Sequence, residues 1–294
     1  MYYRRKVILA LLEQFGGQLN KIALQKTLFL LSRLQKKPVY DFIPYKYGCY
    51  SYQAVWDLGA LQLRGFVENT DNQWNLTSHK LHLNELTKND IEIIRYLKYT
   101  LKELSTDELI YKTYLEYPFW AINSLKAEKM LSAQQYEAVQ NHKPQKTNVS
   151  LFTIGYEGIS LESYFNKLII NDVKVLCDVR RNAISQKFGF SKSDLVKVCN
   201  ALGIIYIHLP ELGIPSDKRK HLQDQTDYDT LFDDYKTNYL FFQQHNIDCI
   251  LDLVLKYHRV ALTCFEASYC QCHRSKVAEA VVNHNDWKYE LNHI

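Results

Sequence analysis

The residues best equipped for chemistry lie in one stretch near the C-terminal end of the sequence, Val260-Ala-Leu-Thr-Cys-Phe-Glu-Ala-Ser-Tyr-Cys-Gln-Cys-His-Arg-Ser. The apolar run Val260 to Cys264 predicts a buried strand, the polar residues a turn, and the segment from about His273 a helix. In open α/β sheets ligands sit beyond the strand C-termini. That position here receives a thiol (Cys264), a carboxylate (Glu266) and, at the helix start, Cys272, His273, Arg274 and Ser275. A helix N-terminus offers unpaired N–H groups and a positive dipole end, and Arg274 would add a two-pronged donor for phosphate or carboxylate. A thiol beside a histidine and a helix start can also serve as a nucleophile. No glycine-rich loop follows either cysteine, so an oxyanion cradle is not legible. The same pattern also suits a core strand joined to a capped helix with a surface His-Arg pair.

The other candidates end strands further upstream. Ser150 to Gly155 reads as a strand followed by Tyr156-Glu157-Gly158, then a helix capped by Ser160. Val173 to Asp178 reads as a second strand, running into Arg180, Arg181 and a basic loop from Ser185 to Lys192, with a helix over 193–202 closed by Gly203. A third strand, from Ile204, ends at His208. Residues 216–247 predict a polar helical cap with a disordered tip, and Ile247 to His258 another helix. Alternating strands and helices mean a parallel sheet with right-handed crossovers, an α/β domain of Rossmann-like type. Such a sheet gathers all its strand ends at one edge. Glu157, Asp178, Glu266 and His273 are then the catalytic candidates, and Tyr156, Arg180, Arg181, Ser185, His208, Cys264 and Arg274 the substrate-binding ones. Two carboxylates in unequal surroundings can divide acid and base roles, and the arginines would hold phosphates. On that scheme Glu157→Gln or Asp178→Asn abolishes activity and leaves the melting temperature near that of the wild type. Cys264, Cys270, Cys272 and His273 fall close together, but Cys-x-Cys-His lacks the paired Cys-x-x-Cys spacing of structural zinc sites. Neither a metal nor a cofactor is expected. Cys177 and Cys199 read as small apolar core residues.

Length and composition bound what these residues can belong to. The chain has 294 residues, room for two domains, and its 47% hydrophobic and 23% charged residues exclude a disordered chain. A net charge of +4 permits a nucleic-acid partner without demanding one. The seven scattered cysteines point to free thiols in a reducing compartment. With no signal-peptide core and no long apolar run, the expectation is a cytoplasmic protein with no membrane partner. The oligomeric state, a homodimer included, stays open.

The N-terminal part reads differently. Helices are predicted over 4–16, from about Asn20 to Pro38, and over 52–64, with an aromatic loop, Pro44-Tyr-Lys-Tyr-Gly-Cys-Tyr-Ser, before the third. Gly65 to Glu68 and Gln73 to Thr77 then form a hairpin. Three helices and a hairpin are the order of a winged helix-turn-helix, in which one helix enters a DNA groove; a protein-interaction module has the same order. Residues 88–140 carry helical periodicity, and 142–148 read as a linker. The domains expected are 1–87, winged-helix-like; 88–148, helical connector and linker; and 149–294, α/β.

Two resemblances attach to these motifs. The second helix, the aromatic loop and the Asp57-Leu-x-x-Leu helix are similar to small bacterial domains of toxin–antitoxin and phage-conflict proteins, over about residues 4–80. Thr153-Ile-Gly-Tyr-Glu-Gly, Asp178-Val-Arg-Arg, Phe188-Gly-Phe-Ser, Gly203-Ile-x-Tyr-x-His-Leu-x-x-Leu-Gly and Cys264-x-Glu with Cys272-His-Arg-Ser resemble, over about 150–285, the domain of unknown function 488 family. That resemblance implies an α/β fold in cytosolic bacterial and archaeal proteins, often encoded near DNA-modification or defence genes, and no particular reaction. Cys270 is a thiol outside the pattern. The function expected is an enzyme acting on nucleic acid, DNA above all, by base excision or processing of modified nucleotides, in genome maintenance or phage defence. The alternatives are a non-enzymatic sensor of nucleotides or modified DNA, and a cysteine-dependent transferase or phosphatase-like enzyme.

Overall fold

The computed structural model describes residues 1–77, 81–215, 218 and 225–294, and they form two units, Met1–Lys143 and Pro144–Ile294. In the first, α1 (Tyr3–Gln14), β1 (Gln18–Asn20) and α2 (Lys21–Leu34) are followed by a small hairpin, β2 (Ile43–Tyr45) and β3 (Gly48–Tyr50). Next come α3 (Tyr52–Leu63), β4 (Val67–Thr70) and β5 (Gln73–Leu76). Strands β1, β5 and β4 make an antiparallel sheet in that order. The predicted hairpin over 65–77 is thus β4–β5, and β1 joins it as a third strand. The helices start where the side chains say they should. Asn20 accepts from the Ile22 N–H at 2.9 Å, and Ser51 from Ala54 at 3.2 Å.

Residues 88–140 form α4 (Lys88–Leu101), α5 (Thr106–Glu116), α6 (Ala127–Met130) and α7 (Ala133–Gln140). They do not stand apart from the first unit: Ile94, Leu97, Leu101 and Leu109 share one apolar core with α1 and α2. The boundary between the units falls inside the stretch read as a linker.

The second unit is the α/β domain. Its elements are β6 (Ser150–Gly155), α8 (Leu161–Ile170), β7 (Val175–Asp178), α9 (Lys192–Leu202) and β8 (Ile205–His208), then α10 (Gln225–Asn238), α11 (Gln244–Tyr257), β9 (Arg259–Cys264), α12 (His273–Val282) and β10 (Glu290–His293). All five strands are parallel, in the order β10-β6-β9-β7-β8. Side chains alternate across a strand. Leu151, Val175, Cys177, Val260 and Leu262 accordingly share one core with α11 and α12, while Thr263 accepts a 2.8 Å bond from Tyr164 of α8. Helices cover the sheet, and β6, β7 and β9 are buried along their whole length. The tip of the cap predicted over 216–247 lies mostly outside the described residues; α10 is its described helix. Among the described residues no helix is long and apolar enough to cross a membrane.

The register decides what the sheet edge holds. Gly155 pairs with Cys264, and Asp178 with both Thr263 and His208. The strand ends therefore lie level, and the residues after them converge.

Candidate functional site

Gly155 is where the site begins. A Cβ on it would lie 1.9 Å from the carbonyl oxygen of Glu266, a backbone atom that cannot move aside alone. Its absence lets the loop after β9 cross the end of β6. The N–H groups of Tyr156 and Glu157 both donate to the Phe265 carbonyl, at 3.1 and 2.9 Å. Glu157 completes the clasp by accepting from the Ala267 N–H at 2.9 Å. Arg274 secures the same loop from the other side, donating to the carbonyls of Glu266 (2.5 Å) and Ala267 (3.0 Å). Four of the sequence candidates thereby meet, but Glu157 and Arg274 serve the loop.

Asp178 is likewise committed. It is 0% exposed. Arg180 grips it with two prongs, Nε to Oδ1 at 2.8 Å and Nη2 to Oδ2 at 2.5 Å, and the Tyr206 hydroxyl donates to Oδ2 at 2.6 Å. Arg180 also donates through Nη1 to the Tyr156 hydroxyl (2.7 Å) and the Phe190 carbonyl (2.9 Å). Burial opposes the Arg180 charge, but Asp178 outweighs it and keeps the guanidinium above its usual value. Burial, then Asp178, pushes the Tyr206 hydroxyl far up. With its oxygens accepting from Arg180 and Tyr206 and its side chain out of solvent, Asp178 is the anchor of a buried network. The expectation that it faces a substrate, and that Asp178→Asn spares stability, is corrected by that saturation. His208 turns inward as well, its Nε2 bonded to the Arg180 carbonyl at 2.8 Å.

What remains around the opening is a cavity of about 430 Å³. Tyr156, Arg180, Arg181, Ser185, Cys264 and Glu266 line it, so six of the residues singled out in the sequence share one pocket. Tyr156 is held flat against Phe190, with ring centres 4.3 Å apart. Phe265 stands at the rim, 42% exposed, and Arg181 beside it is exposed. Arg181 is placed by backbone contact: a Cβ at Gly213 would sit 2.0 Å from its nitrogen. A second hollow of about 180 Å³ is lined by His273 and shares Glu266 and Ile214 with the first.

At the cavity floor Cys264, 1% exposed, lies 3.2 Å from Glu266 Oε2 and 3.7 Å from His273 Nδ1. The other imidazole nitrogen, Nε2, meets the Val179 carbonyl at 2.9 Å. A carbonyl only accepts, so Nε2 carries the proton and the lone pair of neutral His273 is on Nδ1, towards the thiol. Cys272, the N-cap residue of α12, is buried within the same cluster. Burial, then the neighbouring Cys264, pushes its thiol up. Cys270 is exposed, and Cys177 and Cys199 are buried in the core.

Six cavity residues were not singled out from the sequence: Asn182, Ile184, Gln186, Lys187, Ile214 and Phe265. Lys187 had a signal, the basic loop after β7. Phe265, between two polar candidates on a strand end, gave none.

Residues 160–281 match the model of a family described as a domain of unknown function, DUF488. Over those residues the C-terminal unit is similar to the DUF488 family. A comparison with curated proteins found no match, and neither did one with solved structures. The match spans β7, β8, β9 and most of α12 and includes every cavity-lining residue except Tyr156. In this DUF488-like region the Cys-x-Glu pair lines the cavity, and the Cys-His-Arg run supplies the buried imidazole and the loop clasp.

Proposed function

We propose that the DUF488-like region is a hydrolase acting on nucleic acid, with DNA the expected substrate and a base or modified nucleotide the part processed. Glu266 is its acid–base group. The observation that carries this reading is the composition of one cavity: a carboxylate, an exposed aromatic ring and an exposed arginine line it together. A ring such as Phe265 offers a stacking face to any base, and Arg181 offers charge-assisted bonds to a phosphate. The volume lies within the range of small-ligand pockets. Glu157 and Asp178, the carboxylates first considered, are bonded away from the opening, which leaves Glu266 to that role. The first unit supports the choice of DNA, since α3 followed by the β4–β5 hairpin suits a helix for a groove and a wing for the backbone.

A second reading, a thiol-dependent transferase or phosphatase-like enzyme, is favoured by the 3.7 Å contact of Cys264 with His273 Nδ1. The test is incubation of the full chain with single-stranded, duplex and modified DNA, with released base, sugar or phosphate measured by mass spectrometry. The hydrolase reading expects product from the wild type and none from Glu266→Gln. Binding without product in every case would mean a sensor instead. Trapping of a covalent substrate adduct on Cys264 would establish the thiol reading.

A further inference from the structure

The grouping of two thiols and an imidazole beneath the cavity has a geometry of its own. The Sγ atoms of Cys264 and Cys272 and a ring nitrogen of His273 all lie within 4.8 Å of one another, and all three residues are buried. Zinc bonds of about 2.3 Å to sulfur and about 2.0 Å to nitrogen place tetrahedral ligands roughly 3.5–3.8 Å apart. The Cys264 Sγ to His273 Nδ1 separation of 3.7 Å falls in that interval. His273 has the support a ligating histidine needs: its far nitrogen donates to the Val179 carbonyl at 2.9 Å, which fixes the ring with Nδ1 towards the Cys264 sulfur. Cys272 is the N-cap residue of α12, which sets its sulfur beside Cys264. Packing of small apolar side chains explains the burial but not the aim of the imidazole at the sulfur.

We propose that Cys264, Cys272 and His273 bind a single zinc ion and that Glu266 borders its open fourth position. Two thiolates and an imidazole are a donor set that suits zinc over magnesium or calcium. Glu266 lies beside the three-residue set rather than within it, its Oε2 3.2 Å from Cys264 Sγ, and it faces both hollows. Three protein ligands with a free position are the hallmark of a catalytic zinc, which lowers the pKa of bound water to about 7. The ion's part in turnover rests on the hydrolase reading; its binding does not. In that reaction the bound water gives one proton to Glu266 and its oxygen bonds to the substrate. Glu266 then returns the proton to the leaving group, so a turnover consumes one water. The sequence grouped these residues with Cys270 and counted against a metal because the Cys-x-x-Cys spacing is missing; strand β9 and helix α12 bring Cys264, Cys272 and His273 together, and Cys270 is exposed.

The test is elemental analysis of the full chain purified without chelators, followed by cobalt titration of the stripped protein. About one zinc per chain is expected, with a thiolate-to-cobalt charge-transfer band on titration. Cys272→Ser is expected to lose most of both, and Cys270→Ser, at an exposed thiol, to keep both. Should Cys272→Ser fail to fold, the wild-type cobalt band decides alone. Zinc at trace level together with no thiolate–cobalt band would overturn the site. Undiminished turnover by the stripped protein would overturn the ion's role and leave the enzyme standing. Stoichiometric zinc with no turnover on any nucleic acid would keep the site and remove the hydrolase reading.

Discussion

Asp178 and Glu266 are acids at the same sheet edge, and their surroundings set them to opposite work. Asp178 is locked by Arg180 and Tyr206; Glu266 faces the cavity. Removing one partner of a buried ion pair leaves the other charge stranded, at a cost of about 3–5 kcal/mol. Asp178→Asn is therefore expected to lower stability by about that much in urea unfolding, whereas Glu266→Gln melts close to the wild type. Equal melting temperatures for the two variants would contradict the assignment. Glu157→Gln keeps an oxygen for the Ala267 N–H and is expected to reduce activity without abolishing it, read as kcat/KM. None of these differences is legible in the sequence, where three acids simply follow three strands. Which carboxylate is saturated depends on Tyr206, a residue two positions before His208 on another strand. His293 supplies a pH test. Burial, then Arg274, lowers its pKa from 6.5. The unfolded chain then takes up the proton first, so stability is complete above that value and declines as pH falls through it. Thermal melts across that range are expected to show a small acid-side loss that His293→Gln removes; an unchanged pH profile in the variant would count against it.

The elements were legible where periodicity or capping is strong. Strand β9 and helix α12 stand close to the residues that the apolar run and the polar turn mark out, and Ser160 caps α8 as its spacing implies. Strands β1, β2, β3 and β10 were not. Strand β10 reads Glu-Leu-Asn-His, with a single apolar side chain, and becomes a strand because β6 offers an unpaired edge. The same holds for β1, which pairs with β5. At this scale Gly155 is the sharpest test. A methyl group there meets the Glu266 carbonyl, so Gly155→Ala must displace the loop that carries Phe265 and Glu266. A loss of about 1–3 kcal/mol is expected from the forced shift, together with most of the activity. A Gly155→Ala variant as stable and active as the wild type would contradict the crossing of loop and strand.

For the whole molecule, the two units have separate apolar cores, and the chain between them is polar and largely exposed around Lys143 and Lys146. Limited trypsin digestion is expected to cut first after Lys146, since Lys143 precedes a proline, and to release two fragments that each unfold cooperatively. A single co-unfolding piece resistant at Lys146 would argue otherwise. The sequence marks the boundary through loss of periodicity, but not the membership of residues 88–140, because amphipathic helices look alike whether they bridge domains or complete a core. The claim that joins all scales is that the cavity at the parallel sheet's edge turns over nucleic acid through Glu266. The most direct measurement is mass spectrometry of varied modified DNA incubated with the wild type and with Glu266→Gln. Product from the first and none from the second, at equal stability, is the expected outcome. Equal product from both would contradict it.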